Sequence, residues 1–223
     1  KIDPPTDGAL RYKGLDTSKI RSMGLNESCY PPSPKVIEAM QANLSSVNLY
    51  PDAQCPYPSD IISERPGVAR DCIVWGNGSE ELLKGAIDLS LSPGQGLVLP
   101  VPTFWGYKSM IAAFEADVAE VENLPDGHAD LDGILSAIHN NTKIVFLITP
   151  NNPTGRMVDQ AGLEKIVAGV PEGVLLCVDE AYFDFGIHAG GPNVLDVLNT
   201  RRGPWITIFT FSKAYAMAGM RIG

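Results

Sequence analysis

The chain has 223 residues, of which 44% are hydrophobic and 19% are charged, and its formal net charge is −9 at pH 7. This composition is typical of a globular protein with a proper core, and the acidic balance argues against nonspecific binding to nucleic acids or anionic membranes, because both require a basic surface. There is no apolar run of about eighteen residues and no signal peptide, so we expect a cytoplasmic protein without a membrane partner.

The cysteines and histidines disfavour a disulfide framework and a metal site. Cysteine pairs with C-x-x-C spacing are absent, and the histidines are scattered along the chain. We therefore expect free thiols in a reducing compartment and no bound metal. The sequence lacks an initiator methionine and stops on R-I-G, so we also expect that both ends are cut.

The first part of the chain is predicted to be largely irregular. Residues 1–33 are rich in Pro, Gly, Ser and charge and have no sustained period, which predicts an arm. Ser33 is a good N-cap and Pro34 suits a first helical position, so a helix is predicted at residues 34–44. The prolines of residues 45–58 predict an extended segment.

From residue 72 onward, short apolar runs alternate with helical patterns. Strands are predicted at residues 72–75, 97–100, 118–121, 143–149, 174–178 and 205–211. Helices are predicted at residues 82–91, 104–115, 131–139 and 159–168. This alternation predicts an α/β protein whose largely parallel sheet is covered on both faces, with the ligand beyond the carboxyl ends of the strands.

The loop after the first predicted strand is suited to a phosphate group. Gly78, Ser79 and Glu80 offer backbone amides where a helix begins, and the helix dipole favours an anion there. A glycine turn capped by Ser79 remains the simpler alternative. The motif is neither G-x-G-x-x-G nor a P-loop, which disfavours a nucleotide.

Two further strand ends carry residues suited to a flat, polar ligand. Phe104 belongs to an aromatic cluster after the second strand and could stack on a ring, although core packing is the alternative. The sequence T-P-N-N-P-T-G follows the fourth strand, where an Asn side chain could donate to a ligand oxygen or simply form a turn.

The last two strand ends carry opposite charges. Asp179 follows the fifth strand, and a buried carboxylate needs a cationic or hydrogen-bonding partner. Lys213 follows the sixth strand beside Thr210 and Ser212, with Arg221 eight residues later. A desolvated lysine loses its proton readily and can bond to an aldehyde, whereas two hydroxyls and an arginine suit a phosphate dianion.

Pyridoxal 5′-phosphate has the complementary groups: an aldehyde, a phosphate, a flat ring, a phenolic oxygen and a ring nitrogen that must stay protonated. The motifs also resemble the fold-type I aminotransferases, specifically the branch of histidinol-phosphate aminotransferases. The matching segments, in chain order, are L-Y-P-D at 49–52, G-N-G-S-E-E at 76–81, N-N-P-T-G at 151–155, D-E-A-Y at 179–182 and S-K-x7-R at 212–221.

The resemblance implies a role for each matched residue. Lys213 would form a Schiff base with the cofactor and carry protons, and Asp179 would pair with the ring nitrogen. Asn152 and Tyr182 would bond the phenolic oxygen, and Phe104 would stack on the ring. The phosphate would be held by a larger group, consisting of Gly78, Ser79, Glu80, Thr210, Ser212, Arg221 and, from the neighbouring subunit of a homodimer, Tyr50.

The resemblance also implies the architecture. Residues 1–45 would form an arm and a first helix, and residues 46–223 the cofactor-binding large domain. That domain would be a three-layer α/β/α unit with a mostly parallel mixed sheet, truncated before the C-terminal small domain that carries the arginine for the substrate carboxylate. In the arm, N-E-S-C-Y-P-P-S-P at 26–34 replaces a Pro and a Gly of the branch's pattern.

We expect an aminotransferase that moves an amino group between an amino acid, such as histidinol phosphate or a related compound, and a 2-oxo acid. Two alternatives remain open. One is a decarboxylase or lyase on the same cofactor, such as one similar to threonine-phosphate decarboxylase. The other is an inactive, truncated domain that binds the cofactor as a scaffold. The sequence leaves the amino donor and acceptor undetermined.

Overall fold

The computed structural model describes residues 23–64 and 68–223, so the first 22 residues of the predicted arm lie outside the described part. Helix α1 (Pro34–Asn43) confirms the predicted first helix, with Pro34 at its start. Ser33 occupies the N-cap position, where its backbone carbonyl accepts from the Val36 N–H at 2.9 Å but its hydroxyl does not cap the helix.

The prediction of an extended segment at residues 45–58 is wrong. A short 3₁₀ helix forms at Leu44–Ser46, and helix α2 (Pro56–Ser63) begins inside the predicted segment. Pro56 occupies the beginning of α2, where the N–H that proline lacks would have had no helical partner. The prolines therefore mark the start of a helix.

A parallel sheet forms the centre of the described chain and confirms the predicted α/β fold. Its strands lie in the order β2-β1-β3-β4-β5, and all neighbouring pairs are parallel. The strands are β1 (Gly96–Val101), β2 (Asp117–Glu122), β3 (Thr142–Ile148), β4 (Leu175–Asp179) and β5 (Trp205–Ile208).

Helices cover both faces of this sheet. Successive strand residues point to opposite faces and are apolar on both, so each face needs a covering layer. The helices are α3 (Ser79–Ser90), α4 (Gly106–Ile111), α5 (Leu131–Ser136), α6 (Gln160–Gly169), α7 (Phe183–His188) and α8 (Val194–Leu198). One core cluster joins α3 and α4 to strand residues such as Leu99 and Phe146. The other joins α5, α6 and α8 to the alternate strand residues, such as Val145 and Val178. The result is an α/β/α sandwich.

The prediction of a strand at residues 72–75 is wrong. A 3₁₀ turn covers Arg70–Cys72, and the chain that follows is extended and forms, among the described residues, one isolated antiparallel bridge between Asn77 and Ile222. An extended segment becomes a β-strand only where a neighbouring segment provides a series of backbone hydrogen bonds. Within the described residues, the neighbour of this segment is the short stretch 221–223.

Two predicted elements are shorter than expected. Strand β5 ends at Ile208, because the hydroxyl of Thr210 accepts from the Ser212 N–H at 3.1 Å and turns the chain. The helix predicted at residues 104–115 is confined to Gly106–Ile111. Helices α7 and α8, which lie between β4 and β5, had no sequence-based prediction.

Two further observations bear on the predicted cellular context. All four cysteines are free, and Cys177 is the buried one. Within residues 23–64 and 68–223, no helix is long and apolar enough to cross a membrane.

The strand order predicts a ligand-binding crevice at one end of the sheet. From β1 the chain moves outward to β2 at the edge and then returns to β3 on the other side of β1. Connections that leave two neighbouring strands in opposite directions open a crevice beyond their carboxyl ends, and ligands bind there in open α/β sheets. The candidate site is therefore expected beyond β1 and β3.

Candidate active site

The loops that follow β1 and β3 are fastened together at this crevice. The hydroxyl of Thr103 donates to Asn151 Oδ1 at 3.0 Å, and Asn151 Nδ2 donates to the carbonyl of Pro102 at 3.0 Å. Asn151 thereby holds in place the loops that carry Phe104 and Asn152. Asn152 itself is half-buried beside this contact.

Asp179 ends β4 as a buried carboxylate held by two neutral donors. The hydroxyl of Tyr107 donates to Oδ2 at 2.8 Å, and the Ala181 N–H donates to Oδ1 at 3.0 Å. Burial raises the pKa of Asp179, and the two hydrogen bonds only partly oppose that rise. A cation placed against Asp179 would offset this burial cost.

Lys213 lies under the N-terminal segment of the described chain. Its Nζ donates to the carbonyls of Leu25, at 3.0 Å, and Asn26, at 3.3 Å, and lies 5.9 Å from the centre of the Tyr182 ring. Burial lowers the pKa of Lys213; the Glu27 carboxylate opposes this shift, and the Arg221 guanidinium adds to it. This ammonium therefore loses its proton more readily than an exposed lysine does.

Tyr182 belongs to the same cluster. Its hydroxyl accepts a hydrogen bond from Asn26 Nδ2 at 2.9 Å, so one arm residue touches both Tyr182 and Lys213. The structure therefore brings together the lysine and the tyrosine that the sequence placed after different strands.

A cradle of hydrogen-bond donors forms where three distant segments meet. Gly76 and Gly223 exchange two backbone hydrogen bonds, of 3.0 and 3.2 Å, and the Phe211 N–H donates to the carbonyl of Ile222 at 3.1 Å. These contacts bring the beginning of α3 beside residues 210–212. The hydroxyl of Thr210 donates to that of Ser212 at 2.9 Å, and both residues are buried.

Arg221 closes one side of this cradle. Its Nη2 donates to the carbonyl of Asn77 at 3.4 Å, and a Cβ built on Gly78 would lie only 2.5 Å from the same nitrogen. The amides of Ser79 and Glu80 stand in the first turn of α3, where backbone N–H groups have no partner within the helix. Amides, hydroxyls and a guanidinium form a donor set suited to a dianion.

Substituting Gly78 with alanine should destabilise the protein. Gly78 has φ +80°, and the added Cβ would collide with the Arg221 guanidinium. A non-glycine residue in this backbone region costs about 1–3 kcal/mol, which denaturant unfolding can measure. Gly85→Ala is the matched control, because Gly85 lies in α3 with open space around it and alanine favours a helix. Equal unfolding free energies for the two variants would contradict this account.

Two predicted residues lie at the margin of this arrangement. Phe104 packs against Tyr107, with ring centroids 6.4 Å apart and an edge-on geometry, so it is fixed beside the crevice. Tyr50 is fully exposed. Its predicted role at a neighbouring subunit stays a prediction.

Two hydrogen bonds of the site could not be predicted from the sequence. Tyr107 lies in the aromatic cluster that contains Phe104, and the sequence does not predict its hydrogen bond to Asp179. Asn26 was recognised only as part of the arm motif. In the sequence, each residue is visible only as a polar group in a short motif, Tyr107 in F-W-G-Y and Asn26 in N-E-S. The partner of Tyr107 is 72 residues away, and the partner of Asn26 is 156 residues away.

Glu27→Gln should make Lys213 more reactive. The Glu27 carboxylate holds the pKa of Lys213 up, so its removal should lower that pKa and increase the neutral amine at a given pH. The rate of Lys213 acetylation, followed by mass spectrometry across a pH series, measures this change. Glu38→Gln, on the exposed surface of α1, is the control. A rate unchanged or decreased relative to the unmodified sequence would argue against the coupling.

The family model for aminotransferase class I and II matches residues 18–223. The chain belongs to this family. The predicted family resemblance is confirmed, and the described residues supply a parallel sheet covered by helices.

Curated relatives and a solved structure agree with this assignment. The chain is 38% identical over 205 residues to a histidinol-phosphate aminotransferase of Staphylococcus saprophyticus, covering 92% of this chain and 58% of that protein. It is 35% identical over 223 residues to the histidinol-phosphate aminotransferase of Halalkalibacterium halodurans, covering 100% of this chain and 59% of that protein. The chain thus spans between half and two thirds of the length of these relatives.

The solved structure is a histidinol-phosphate aminotransferase from Sinorhizobium meliloti in complex with pyridoxal-5′-phosphate. The similarity has a TM-score of 0.77 at 26% sequence identity and covers 89% of this chain and 54% of that one. The predicted α/β/α large-domain fold is therefore confirmed by fold similarity as well as by the family match.

Proposed function

We propose that this chain is the cofactor-binding part of a pyridoxal 5′-phosphate-dependent aminotransferase. The observation that carries the proposal is the set of groups around the sheet end: a half-buried lysine with a lowered pKa, a buried carboxylate held by two neutral donors, and a cradle of phosphate donors. Each of these groups is suited to a different part of the same cofactor.

The donor groups present fit the cofactor part by part. The cradle would accept a phosphate dianion through the amides of Ser79 and Glu80, the hydroxyls of Thr210 and Ser212, and Arg221. Asp179 would accept a protonated ring nitrogen, whose charge offsets the cost of burying the carboxylate. Bound there, the cofactor would supply an aldehyde for amines and an electron-withdrawing ring that stabilises a carbanion.

The remaining residues would position the cofactor and move protons. Lys213 would hold the aldehyde carbon through its amine and, when released, act as base and acid at the substrate α-carbon, since its lowered pKa lets it lose a proton more readily than an exposed lysine does. Asn152 and Tyr182 would donate to the phenolic oxygen, and Phe104 would cover one face of the ring. These roles remain proposals for these residues.

We further infer that the substrates are an amino acid and a 2-oxo acid, with histidinol phosphate as the first amine to test. Support for that amine comes from the names of the relatives that are 34–38% identical to this chain. A homodimer in the cytoplasm is also proposed. The free cysteines fit a reducing compartment, and the fully exposed Tyr50 is accessible to a partner's phosphate site.

Absorbance spectroscopy with added pyridoxal 5′-phosphate, followed by a panel of amino acids, tests the function. We expect a cofactor band that shifts when an amino donor is added and is restored by a 2-oxo acid. Release of CO2 without any oxo acid would indicate a decarboxylase instead. A cofactor band that no amine shifts would indicate a binding module, and absence of a band would refute the proposal.

A further inference from the structure

Tyr107 connects α4 to the carboxylate at the end of β4. Its side chain is completely buried, and its hydroxyl donates to Asp179 Oδ2 at 2.8 Å. A buried phenol needs a hydrogen-bond partner, and here the partner is the carboxylate proposed to face the cofactor ring. The pairing joins residues 72 positions apart in sequence.

Packing fixes the position of this hydroxyl. The Tyr107 ring lies edge-on to Phe146, at 5.0 Å between centroids, and edge-on to Phe104, at 6.4 Å. Gly106 allows the ring of Phe104 to approach closely, because a Cβ there would lie 2.3 Å from Phe104 Cε1. Tyr107 is therefore held by the core on one side and supports the proposed stacking ring on the other.

Each carboxylate oxygen of Asp179 accepts a hydrogen bond from a different donor. Tyr107 donates to Oδ2 and the Ala181 N–H donates to Oδ1, at 3.0 Å, so the plane of the carboxyl group is fixed from both sides. Hydrogen bonds donated to a carboxylate favour its charged form. In a fully buried setting, this donation opposes the effect of burial, which favours the neutral acid.

We propose that Tyr107 is a positioning residue of the cofactor site: its hydroxyl keeps the Asp179 carboxylate charged and oriented toward the crevice while its ring supports Phe104. The inference rests on the proposed function, since the cation that Asp179 would hold is the ring nitrogen of the cofactor. It adds a residue that contacts two proposed cofactor ligands without being assigned a contact with the cofactor itself.

The direct test is a ¹³C NMR titration of the Asp179 carboxyl group in the ligand-free protein. Tyr107→Phe removes one donor to the charged form, so the pKa of Asp179 should rise further. Tyr215→Phe is the matched control, because the Tyr215 hydroxyl donates to Asp184 Oδ1 at 3.3 Å in an exposed position. An Asp179 pKa that is unchanged or lower in Tyr107→Phe would overturn the inference.

A second substitution keeps the test decisive if Tyr107→Phe does not fold. Placing 3-fluorotyrosine at position 107 preserves the ring and the hydroxyl but makes the phenol more acidic. A more acidic phenol donates more strongly to a carboxylate, so the pKa of Asp179 should fall. A rise or no change would overturn the inference.

Titration with pyridoxal 5′-phosphate separates this inference from the proposed function. A hydrogen bond to a charged group contributes enough that Tyr107→Phe should weaken cofactor binding about 10- to 100-fold. Tyr215→Phe should bind like the unmodified protein. Unmodified protein that fails to bind the cofactor would refute the proposed function, whereas normal binding by both variants would refute the role of Tyr107 alone.

Discussion

Lys213→Ala should abolish transamination, with a loss of roughly a thousandfold or more, because the amine that holds the aldehyde and exchanges protons is removed. The same variant should form no borohydride-reducible covalent link with pyridoxal 5′-phosphate. Peptide mass spectrometry after reduction measures this link. The protein should still fold, because the hydrogen bonds that the substitution removes join a half-buried side chain to the backbone carbonyls of Leu25 and Asn26.

Two controls separate chemistry from structure in this experiment. Lys213→Arg keeps a cation that can bond the same carbonyls, yet a guanidinium does not lose its proton near neutral pH, so this variant should be equally inactive. Lys165→Ala removes an exposed lysine, paired with Asp132 at 2.6 Å, and should retain full activity. A reducible link that persists in Lys213→Ala would assign the reactive amine to another lysine.

Asp179→Asn should lower the rate by about a thousandfold, because removing one preorganised electrostatic partner has an effect of this order. The ring nitrogen would lose the carboxylate that keeps it protonated, and the electron-withdrawing capacity of the ring would fall. The fold should persist, since Asn can accept from the Ala181 N–H with its oxygen and donate to the Tyr107 hydroxyl with its nitrogen.

Asp179→Asn should lower the reaction rate without lowering the stability of the ligand-free protein. The pKa of Asp179 is raised in the folded state, so the folded protein binds this proton more tightly than the unfolded chain does. Its contribution to the free energy of unfolding therefore decreases as pH rises from the unfolded pKa toward the folded one. Asn removes this dependence and should be at least as stable at neutral pH.

Thermal unfolding of both proteins across a pH series, together with steady-state kinetics, measures these effects. Asp196→Asn, an exposed substitution on α8, provides the control for a general loss of negative charge. Turnover like that of the unmodified protein would reject the proposed role of Asp179. An Asp179→Asn variant that is less stable than the unmodified protein at neutral pH would reject the burial argument.

The sheet could be predicted from sequence because its signals are local. Buried parallel strands appear as apolar runs such as residues 143–149 and 174–178, and each run ends where polar residues begin. Asp179 could be recognised because a charge directly after such a run is unusual, and Lys213 because it follows the predicted strand at 205–211 with only Ser212 between. The strand ends were therefore located to within a few residues, and with them the end of the sheet that carries the candidate site.

Features that depend on distant partners could not be predicted in this way. The segment 72–75 has the composition of a strand, but strand formation depends on a neighbouring ladder, and composition does not specify the neighbour. The hydrogen bond between Tyr107 and Asp179 depends on the order of strands in the sheet and on which face α4 covers. A spacing of 72 residues contains no information about either.

The junction of residues 76–78 with residues 221–223 must form before the proposed phosphate donors of both segments can act on one ligand. Its partners are about 145 residues apart, so closing this loop has a high entropic cost and the junction depends on the intervening sheet. Phosphate binding would then favour only molecules in which the junction has closed, and a cofactor in excess would increase the fraction of chains that complete it. Ligand uptake would thus report closure of this junction, and chains with an ordered sheet but an open junction would not retain the ligand.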